Sequence, residues 1–456
     1  MFFISKPIKN IYPMKTRTAL TFAMLASATS LTYAGVYDDA YDAFASELFS
    51  RVEEQTLQEA PQANVVISPL SAWMALGMLQ QGAAGSTLES IRQTLHLDEQ
   101  CADPGKNDAE WIQALSQPCR WYQGEDSTAM PKLELANSLW ADDQIMLHEA
   151  YRQQLIEQYQ AETFVRDLQL QATMDEIDGW VNDKTHGAIP SLNLEPDDYR
   201  RLILVNTLFF KGGWEMPFWE GNTQDEPFYN ANGTAVKVPM MRDQANFKYA
   251  ENNTFQAVRL NLGIDQRFSM TLLMPHAGLD YKLQLQDLMS MQNVSYEPVK
   301  LQMPRFSVDA DIDFSEVLSS MGMAEAFTPY ADFSPMTSND VLVSKVKQLT
   351  HIGVDEKGVE AAAATVVELA ETCDPDLPQP EWHEFTLDHP FYFSIEDNVN
   401  QKILFVGHMQ NLEGEVIPLG LTTIASRIDT PAYDLFGRKT TKAGGLRIKN
   451  GRVVLE

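Results

Sequence analysis

The stretch from Glu356 to Cys373 carries two conflicting signals about secondary structure, and this conflict limits the possible folds more than any other feature. Four consecutive alanines, Ala361–Ala364, favour a helix. The side chains nevertheless alternate with the period of a β-strand. The face that carries no charge comprises Val359, Ala361, Ala363, Thr365, Val367 and Leu369. The opposite face comprises Glu360, Ala362, Ala364, Val366, Glu368 and Ala370. The stretch is compatible with a surface helix or a strand, so the rest of the chain must decide.

The composition is that of a globular protein with a strong negative charge. Of 456 residues, 44% are hydrophobic and 21% are charged, which leaves ample apolar material for a core. The formal charge of −29 argues against nucleic acid or an anionic membrane as the partner.

Residues 1–34 predict a secretory signal peptide. The basic residues Lys6, Lys9, Lys15 and Arg17 precede an apolar run that ends near a suitable cleavage site, Thr32-Tyr33-Ala34. Met14 is an alternative start, and a buried N-terminal helix is the alternative interpretation. No other stretch approaches the roughly 18 apolar residues of a membrane span. We therefore expect a secreted, periplasmic or cell-surface protein.

The three cysteines leave two alternatives open. Cys101 and Cys119 bracket a polar loop and either form a disulfide in an oxidising compartment or remain thiols. Cys373 lies among Glu, Asp and Pro residues and is predicted to be exposed.

Hydrophobic periodicity predicts helices mixed with short strands from residue 38 to residue 409. A helix beginning near Leu88 has Ser86 or Thr87 as its predicted cap, and residues 98–131 are predicted to form a polar loop. The run Leu202–Phe210 is apolar almost throughout, which predicts a central strand buried on both faces.

No local motif for metal, nucleotide or nucleophile chemistry occurs in the sequence. Ser68 and Ser71 follow an apolar strand, but no neighbouring pattern marks either one as a nucleophile. We therefore expect no cofactor, no metal and no enzymatic activity. An exported hydrolase whose active site is assembled from distant residues is the remaining alternative.

Five segments, in the right order, resemble one family, the serpins, over roughly residues 36–413. They are Asn64–Ser71 with Gly82–Thr87, Val205–Phe218, Val354–Thr365, Asp388–Phe393 and Ile403–Gly407. The resemblance implies an α+β fold with three β-sheets, about eight or nine helices and an exposed reactive-centre loop at about 356–384. It assigns residues 35–413 to this domain and leaves 414–456 as a C-terminal extension.

The resemblance also implies a mechanism. A target serine or cysteine protease cleaves the loop, and the freed loop inserts as an extra antiparallel strand into the large central sheet. The acylated protease is carried along and trapped in a covalent complex. Such an inhibitor acts as a monomer. The runner-up function is a non-inhibitory serpin, a carrier or folding helper that has lost insertion.

The start of the loop resembles the family's hinge. Its residues are Glu356, Gly358, Val359, Glu360, Ala361, Ala362, Ala363, Ala364 and Thr365. Gly358 permits the bend into the sheet. Small uncharged side chains on the inward face allow insertion without overpacking or a buried charge.

The resemblance assigns two further sets of residues beside the hinge. The breach, at the top of the sheet, comprises Glu356 paired with Arg305, and Trp214. The shutter is a polar cluster beneath the sheet that governs its opening and comprises Ser68, Ser71, Asn206 and Gln348.

In the family, a usual number of residues separates the hinge glycine from the reactive bond. Counting that number from Gly358 places the bond between Thr372 and Cys373. Counting back from Pro390 places it near Gln379 instead. We prefer the first count, because about fifteen inserted residues at ~3.3 Å each are needed to carry the protease across the sheet.

The residues before this bond predict the target. Thr372 suits an elastase-like or other small-pocket serine protease, and Leu369 suits a chymotrypsin-, subtilisin- or papain-like enzyme. Ala370 and Glu371 complete the specificity segment, and Glu371 alone would suit a glutamate-specific protease. Residues 359–381 contain no Lys or Arg, so we expect no inhibition of trypsin-like enzymes.

The tail after Gly414 is rich in basic residues and weakly resembles C-terminal extensions of exported bacterial proteins. Its Asn450-Gly451 pair predicts a hairpin turn between short strands. A flexible extra hairpin is the alternative.

Overall fold

A computed structural model describes residues 19–99, 101, 103–117, 130–197, 200–359, 381–417, 446–449 and 452–455. Within these ranges the α-helices are α1 (Ala19–Glu59), α2 (Pro69–Gln81), α3 (Gly85–Thr94), α4 (Pro104–Leu115), α5 (Glu149–Tyr159), α6 (Gln171–Lys184), α7 (Leu285–Met289) and α8 (Ser315–Leu318). Shorter helical turns are Glu220–Asn222, Ser290–Asn293, Ser319–Met323 and Ala324–Phe327.

The strands follow in the same numbering. They are β1 (Val65–Ile67), β2 (Lys132–Asp142), β3 (Glu162–Arg166), β4 (Leu202–Gly213), β5 (Gln224–Tyr229), β6 (Ala235–Glu251), β7 (Phe255–Leu262), β8 (Phe268–Pro275), β9 (Tyr296–Pro304), β10 (Phe306–Asp313), β11 (Lys347–Asp355), β12 (Gly358–Val359), β13 (His383–Thr386), β14 (Phe391–Asp397), β15 (Lys402–Met409), β16 (Glu415–Ile417), β17 (Leu446–Lys449) and β18 (Arg452–Leu455).

The strands of residues 65–409 form two sheets. The first has six strands in the order β10-β11-β12-β4-β2-β3. The second follows the path β1-β15-β14-β8-β7-β6-β9-β13, with β5 paired to β6. Strand β6 is 17 residues long, pairs with β5 and β9 along most of its length and reaches β7 only through its last four residues. Because of this length, two of the three predicted sheets are continuous in this structure, and the six-stranded sheet is the third.

Strand β4 contacts apolar clusters on both faces of the six-stranded sheet, as predicted from its sequence. Phe210 belongs to the main core, which also includes side chains of α1, α2 and the larger sheet. Val205 belongs to a second cluster with Ile177 and Val181 of α6. The alternation of side chains along a strand explains why both faces carry apolar residues.

Two local predictions were wrong. Residues 104–115 form α4 rather than a loop, with Pro104 in the first turn and the Asp103 carboxylate accepting from the Lys106 N–H. The N-cap of α3 is Ala84, without a side-chain hydrogen bond. The Ser86 and Thr87 hydroxyls instead donate to the Glu325 carboxylate.

Helix α1 begins at Ala19 and continues through the predicted cleavage site to Glu59. Tyr41, Phe44, Leu48 and Val52 form its buried stripe, as their spacing predicts. Among the helices described, none is both long and apolar enough to cross a membrane.

The chain divides into two compact units, residues 1–415 and 416–456. In the second unit, β17 and β18 pair antiparallel with Lys449 opposite Arg452. Residues 450 and 451 lie outside the described residues, so the predicted Asn450-Gly451 turn stays a prediction.

Candidate functional site

The hinge enters the six-stranded sheet between β11 and β4. Gly358 and Val359 pair antiparallel with Asp355 and Val354 on one side, and with Gly213 and Gly212 on the other. Strands β11 and β4 therefore run parallel, and within the described residues β12 alone separates them. We call the space below Val359, between residues 202–211 of β4 and 347–353 of β11, the slot.

Gly358 occupies a position that no other residue can take without displacing the backbone. Its φ is +152°, and a Cβ atom there would lie 2.1 Å from the Gly212 carbonyl oxygen and 2.7 Å from the Gly213 Cα. The following residue, Val359, is fully buried. The glycine thus allows the hinge backbone to approach β4 closely enough to pair.

The structure brings together the breach residues at the top of the slot. The Arg305 guanidinium donates to both carboxylate oxygens of Glu356, from Nη2 at 2.7 and 2.8 Å and from Nε at 3.2 Å. The Thr223 hydroxyl donates to the same carboxylate at 2.7 Å. The Trp214 indole donates to the Asp355 carbonyl at 2.8 Å. Each of these contacts fixes the chain immediately before β12.

The Glu356 carboxylate is held in its charged form despite its burial. Its side chain is 4% exposed, whereas that of Arg305 is 48% exposed. Burial alone raises the pKa of Glu356, but the hydrogen bonds from Arg305 and Thr223 outweigh it, and the pKa lies below its usual value. A hydrogen bond to Glu356 raises the pKa of Arg305 in turn.

Three shutter residues form one connected group. The Gln348 side chain accepts from the Ser68 N–H at 2.8 Å and donates to the Ser68 carbonyl at 2.9 Å. The Ser68 hydroxyl accepts from the Ser71 N–H at 3.2 Å, which caps α2. Gln348 therefore ties β11 to the N-terminus of α2.

The fourth shutter residue, Asn206, is bonded elsewhere. Its side-chain amide donates to Asn137 Oδ1 of β2 at 2.6 Å, and Asn137 donates to the Tyr159 carbonyl at 2.7 Å. Asn206 Oδ1 is buried and accepts no hydrogen bond from any part of the chain that the structure describes. Asn206, Ser71 and Gln348 nevertheless line one cavity of about 50 Å³ below the sheet.

Sequence reasoning missed three residues of this site, and two of them left a signal. Asn137 is a polar residue within an apolar alternating strand. The Asp355 carboxylate accepts from the N–H groups of Lys357 and Gly358 at 2.8 and 3.2 Å, an Asx-type turn for which an Asp three residues before a Gly is the signal. Thr223 left no signal, because only the fold brings it to Glu356.

Several predicted site residues lie outside the described residues. They are Glu360, Ala361, Ala362, Ala363, Ala364, Thr365, Leu369, Ala370, Glu371, Thr372, Cys373 and Cys119. Cys101, the other half of the possible disulfide, is a buried free thiol in this structure. Burial and the neighbouring Asp98 raise the pKa of that thiol.

Comparison with known proteins shows the family. The profile described as serpin (serine protease inhibitor) matches residues 39–412. A serpin-like protein of Thermococcus kodakarensis is 33% identical over 358 residues, which cover 76% of this chain and 80% of the relative. Human serpin B4 is 31% identical over 379 residues, which cover 78% of this chain and 96% of serpin B4. The chain belongs to the serpin family, whose members are mostly protease inhibitors and not enzymes.

Solved structures agree with the fold. The native state of tengpin, a thermophilic serpin, has a TM-score of 0.70 at 26% identity and covers 82% of this chain and 93% of its own. Serpin48 of the insect Tenebrio molitor, described as highly specific, has a TM-score of 0.69 at 27% identity. The match covers 83% of this chain and 98% of Serpin48. Human thyroxine-binding globulin shares the fold, with a TM-score of 0.72 at 24% identity and coverage of 83% and 99%.

Proposed function

We propose that this chain inhibits serine or cysteine proteases as a suicide substrate. The protease nucleophile attacks the carbonyl carbon of the residue before the scissile bond, forms an acyl-enzyme and releases the new amino terminus. The cleaved loop then enters the slot and carries the acyl-enzyme with it. The observation that carries this proposal is β12, which lies between β11 and β4 and pairs antiparallel with both strands at the top of the slot.

The proposal is supported by extending the strand pairing of β12 beyond Val359, which gives each residue of the inward face a suitable partner. In the inserted strand, Thr365 would lie opposite Asn206 of β4 and Gln348 of β11. Its hydroxyl would then face the buried Asn206 oxygen, which lacks a donor among the described side chains. Ala361 and Ala363 would lie opposite Phe210 and Leu208, so small side chains would meet large ones.

The outward face is matched by charge. In the same register, Glu360 would lie opposite Lys211 of β4, and Glu368 would lie opposite Lys345, just before β11. Directly opposed unlike charges stabilise a strand pair by about 0.2–1 kcal/mol each. Both faces of the segment therefore suit this slot in this register.

We propose Thr372-Cys373 as the reactive bond, with an elastase-like or a chymotrypsin- or subtilisin-like protease as the target. We also propose that residues 1–34 direct export and that the inhibitor acts outside the cytoplasm as a monomer. Sequencing the amino terminus of the exported protein tests the cleavage after Ala34.

The deciding experiment mixes the protein with pancreatic elastase, chymotrypsin, subtilisin, papain and trypsin. We expect a covalent complex on a denaturing gel with one of the first four, and none with trypsin. Mass spectrometry of the released C-terminal peptide locates the cut. Cleavage in the loop without a complex would contradict inhibition and favour a non-inhibitory serpin.

A matched pair of variants tests the slot itself. Val359→Arg places a charge at a fully buried position and should convert the inhibitor into a substrate. Glu360→Gln changes the neighbouring residue on the outward face without placing a like charge opposite Lys211, and it should retain complex formation. Equal loss of the complex in both variants would argue against insertion in this register.

A further inference from the structure

Asp108 is a buried carboxylate at the junction of four helices. It lies on α4, is 1% exposed and accepts three hydrogen bonds. The donors are the Tyr37 hydroxyl of α1 at 2.5 Å, the Trp73 indole of α2 at 2.8 Å and the Tyr159 hydroxyl of α5 at 2.6 Å. All three donors are neutral groups.

The neighbouring helix leaves space for this carboxylate. A Cβ atom on Gly77 of α2 would lie 2.7 Å from Asp108 Oδ2 and 2.8 Å from the Tyr159 hydroxyl. Glycine at this position therefore lets the carboxylate pack directly against the α2 backbone.

The helices that Asp108 joins hold the two edges of the slot. The N-terminus of α2 is bonded to Gln348 of β11 through Ser68. The last residue of α5, Tyr159, is bonded through its carbonyl to Asn137, which is bonded to Asn206 of β4. One buried side chain thus connects both anchor points.

We propose that Asp108 is a positioning residue that ties the two edges of the slot together, and that opening the slot breaks its hydrogen bonds. This inference rests on the proposed insertion function. Strands β4 and β11 must separate to admit a full strand, and the helices that hold them must then shift relative to one another. Such a shift exposes the Asp108 carboxylate to water.

The direction of the resulting pH dependence follows from the burial of Asp108. Burial raises the pKa of Asp108 from 3.8 to about 6, against the lowering effect of Tyr159, Tyr37 and Trp73. If hydration restores the ordinary pKa, the closed slot binds the proton more tightly than the open slot. Opening is therefore favoured above pH 6 and suppressed as the pH falls, by up to about 25-fold between pH 7.5 and 4.5.

The groups that donate to Asp108 do not titrate in this range. Burial holds the pKa of both Tyr37 and Tyr159 well above the usual value. On α1, burial raises the pKa of Asp42 to about 6, so the comparison with Asp108→Asn must separate the two carboxylates. Helix α2 contains no ionisable residue. On α4 itself, Lys106 and Glu110 are exposed, with side-chain exposures of 69% and 65%.

The test measures uptake of a fluorescent peptide with the sequence of residues 359–372, by gel shift, from pH 4.5 to 7.5. The full chain and Glu110→Gln should take up peptide several-fold to about 25-fold faster at pH 7.5 than at 4.5. Asp108→Asn should lose this dependence. An identical profile for Asp108→Asn and Glu110→Gln would overturn the proposal.

A second variant keeps the test decisive if Asp108→Asn does not fold. Tyr159→Phe removes one donor that lowers the Asp108 pKa, so the midpoint of the uptake profile should move upward by about 0.5 to 1 pH unit. An unchanged midpoint would count against the proposed role of Asp108 in connecting the two edges of the slot. Absence of uptake by every protein at every pH would overturn the proposed insertion, and this inference with it.

Discussion

Glu356 and Arg305 form an ion pair whose two members differ in their access to water. The carboxylate is buried and the guanidinium is half exposed. Removing Arg305 should therefore destabilise the protein more than removing Glu356, because a buried charge left without its partner destabilises more than an exposed one.

We predict that Arg305→Ala lowers the free energy of unfolding at pH 7 by about 3 kcal/mol, since it leaves the buried Glu356 carboxylate with fewer donors. Glu356→Gln should lower it by about 1 kcal/mol, because water can solvate Arg305 and Thr223 can still donate. Urea unfolding measures both. The reverse order would contradict the assignment of the buried partner.

The same pair should weaken in acid. The pKa of Glu356 lies below its ordinary value of 4.5 in the folded protein, so its stabilisation is complete above that value and is lost as the pH falls through the folded pKa. Urea unfolding at pH 3.5 should therefore show a smaller difference between the unmodified chain and Arg305→Ala than at pH 7. A difference independent of pH would mean that the charge of Glu356 is unimportant.

Gly358 is the residue through which the hinge enters the sheet. Gly358→Ala should raise the number of inhibitor molecules consumed per protease several-fold, because the added Cβ meets the Gly212 carbonyl and slows insertion. Titration against the target protease measures this. Gly179→Ala, which adds a Cβ with no atom within 4 Å, is the matched control and should leave the ratio unchanged.

The elements around the slot are held by side chains that join a strand to a helix. Gln348 ties β11 to the N-terminus of α2, and Asn137 ties β4 and β2 to the end of α5. Between these ties, β4 and β11 meet only through the two residues of β12 in the described structure. This arrangement concentrates resistance to opening in a few hydrogen bonds.

We predict that Gln348→Leu destabilises the protein by about 2 kcal/mol, because the buried Ser68 N–H loses its acceptor and the Ser68 carbonyl keeps only the Ala72 N–H as a donor. Spontaneous loss of inhibitory activity on warming should also become faster, as the slot opens more readily. Chemical unfolding and residual activity after heating report the two effects. Gln244→Leu, at an exposed position of β6, serves as the control and should change neither.

For the whole molecule, the proposed function requires a native state that is less stable than the inserted one. Insertion would add a strand with ladder partners on both edges, whereas β12 alone supplies two paired residues per edge in the described chain. The native state would then persist because insertion is slow while the loop is uncut.

Cleavage of the loop by a non-target protease should therefore raise the melting temperature, by on the order of 10 °C, if the new ladder hydrogen bonds each contribute about 1 kcal/mol. Scanning calorimetry before and after cleavage measures the shift. A melting temperature that stays constant or falls would show that the cut loop remains outside the sheet.

The sequence by itself determined the family, the α+β class and most elements, because these depend on local periodicity and on segments such as Asn64–Ser71 and Val205–Phe218. The expectation that the alternation at 356–373 outweighs its alanines stays a prediction, because the described residues of this stretch end at Val359, where Gly358 and Val359 form a strand. The buried residues Gly105, Asp108, Ile112 and Leu115 of the missed helix α4 do follow helical spacing, but Gly105 and Asp108 are not hydrophobic, so the sequence shows no apolar period.

Only the tertiary structure decided which distant polar groups meet. Glu356 and Thr223 are 133 residues apart, and Asn137 and Asn206 are 69 apart, so no local pattern connects them. The same holds for Asp108. In the sequence it is one more charge in a polar segment, whereas in the structure it accepts hydrogen bonds from α1, α2 and α5. Local sequence sets the direction in which each side chain points, whereas packing of the whole chain sets what it meets there.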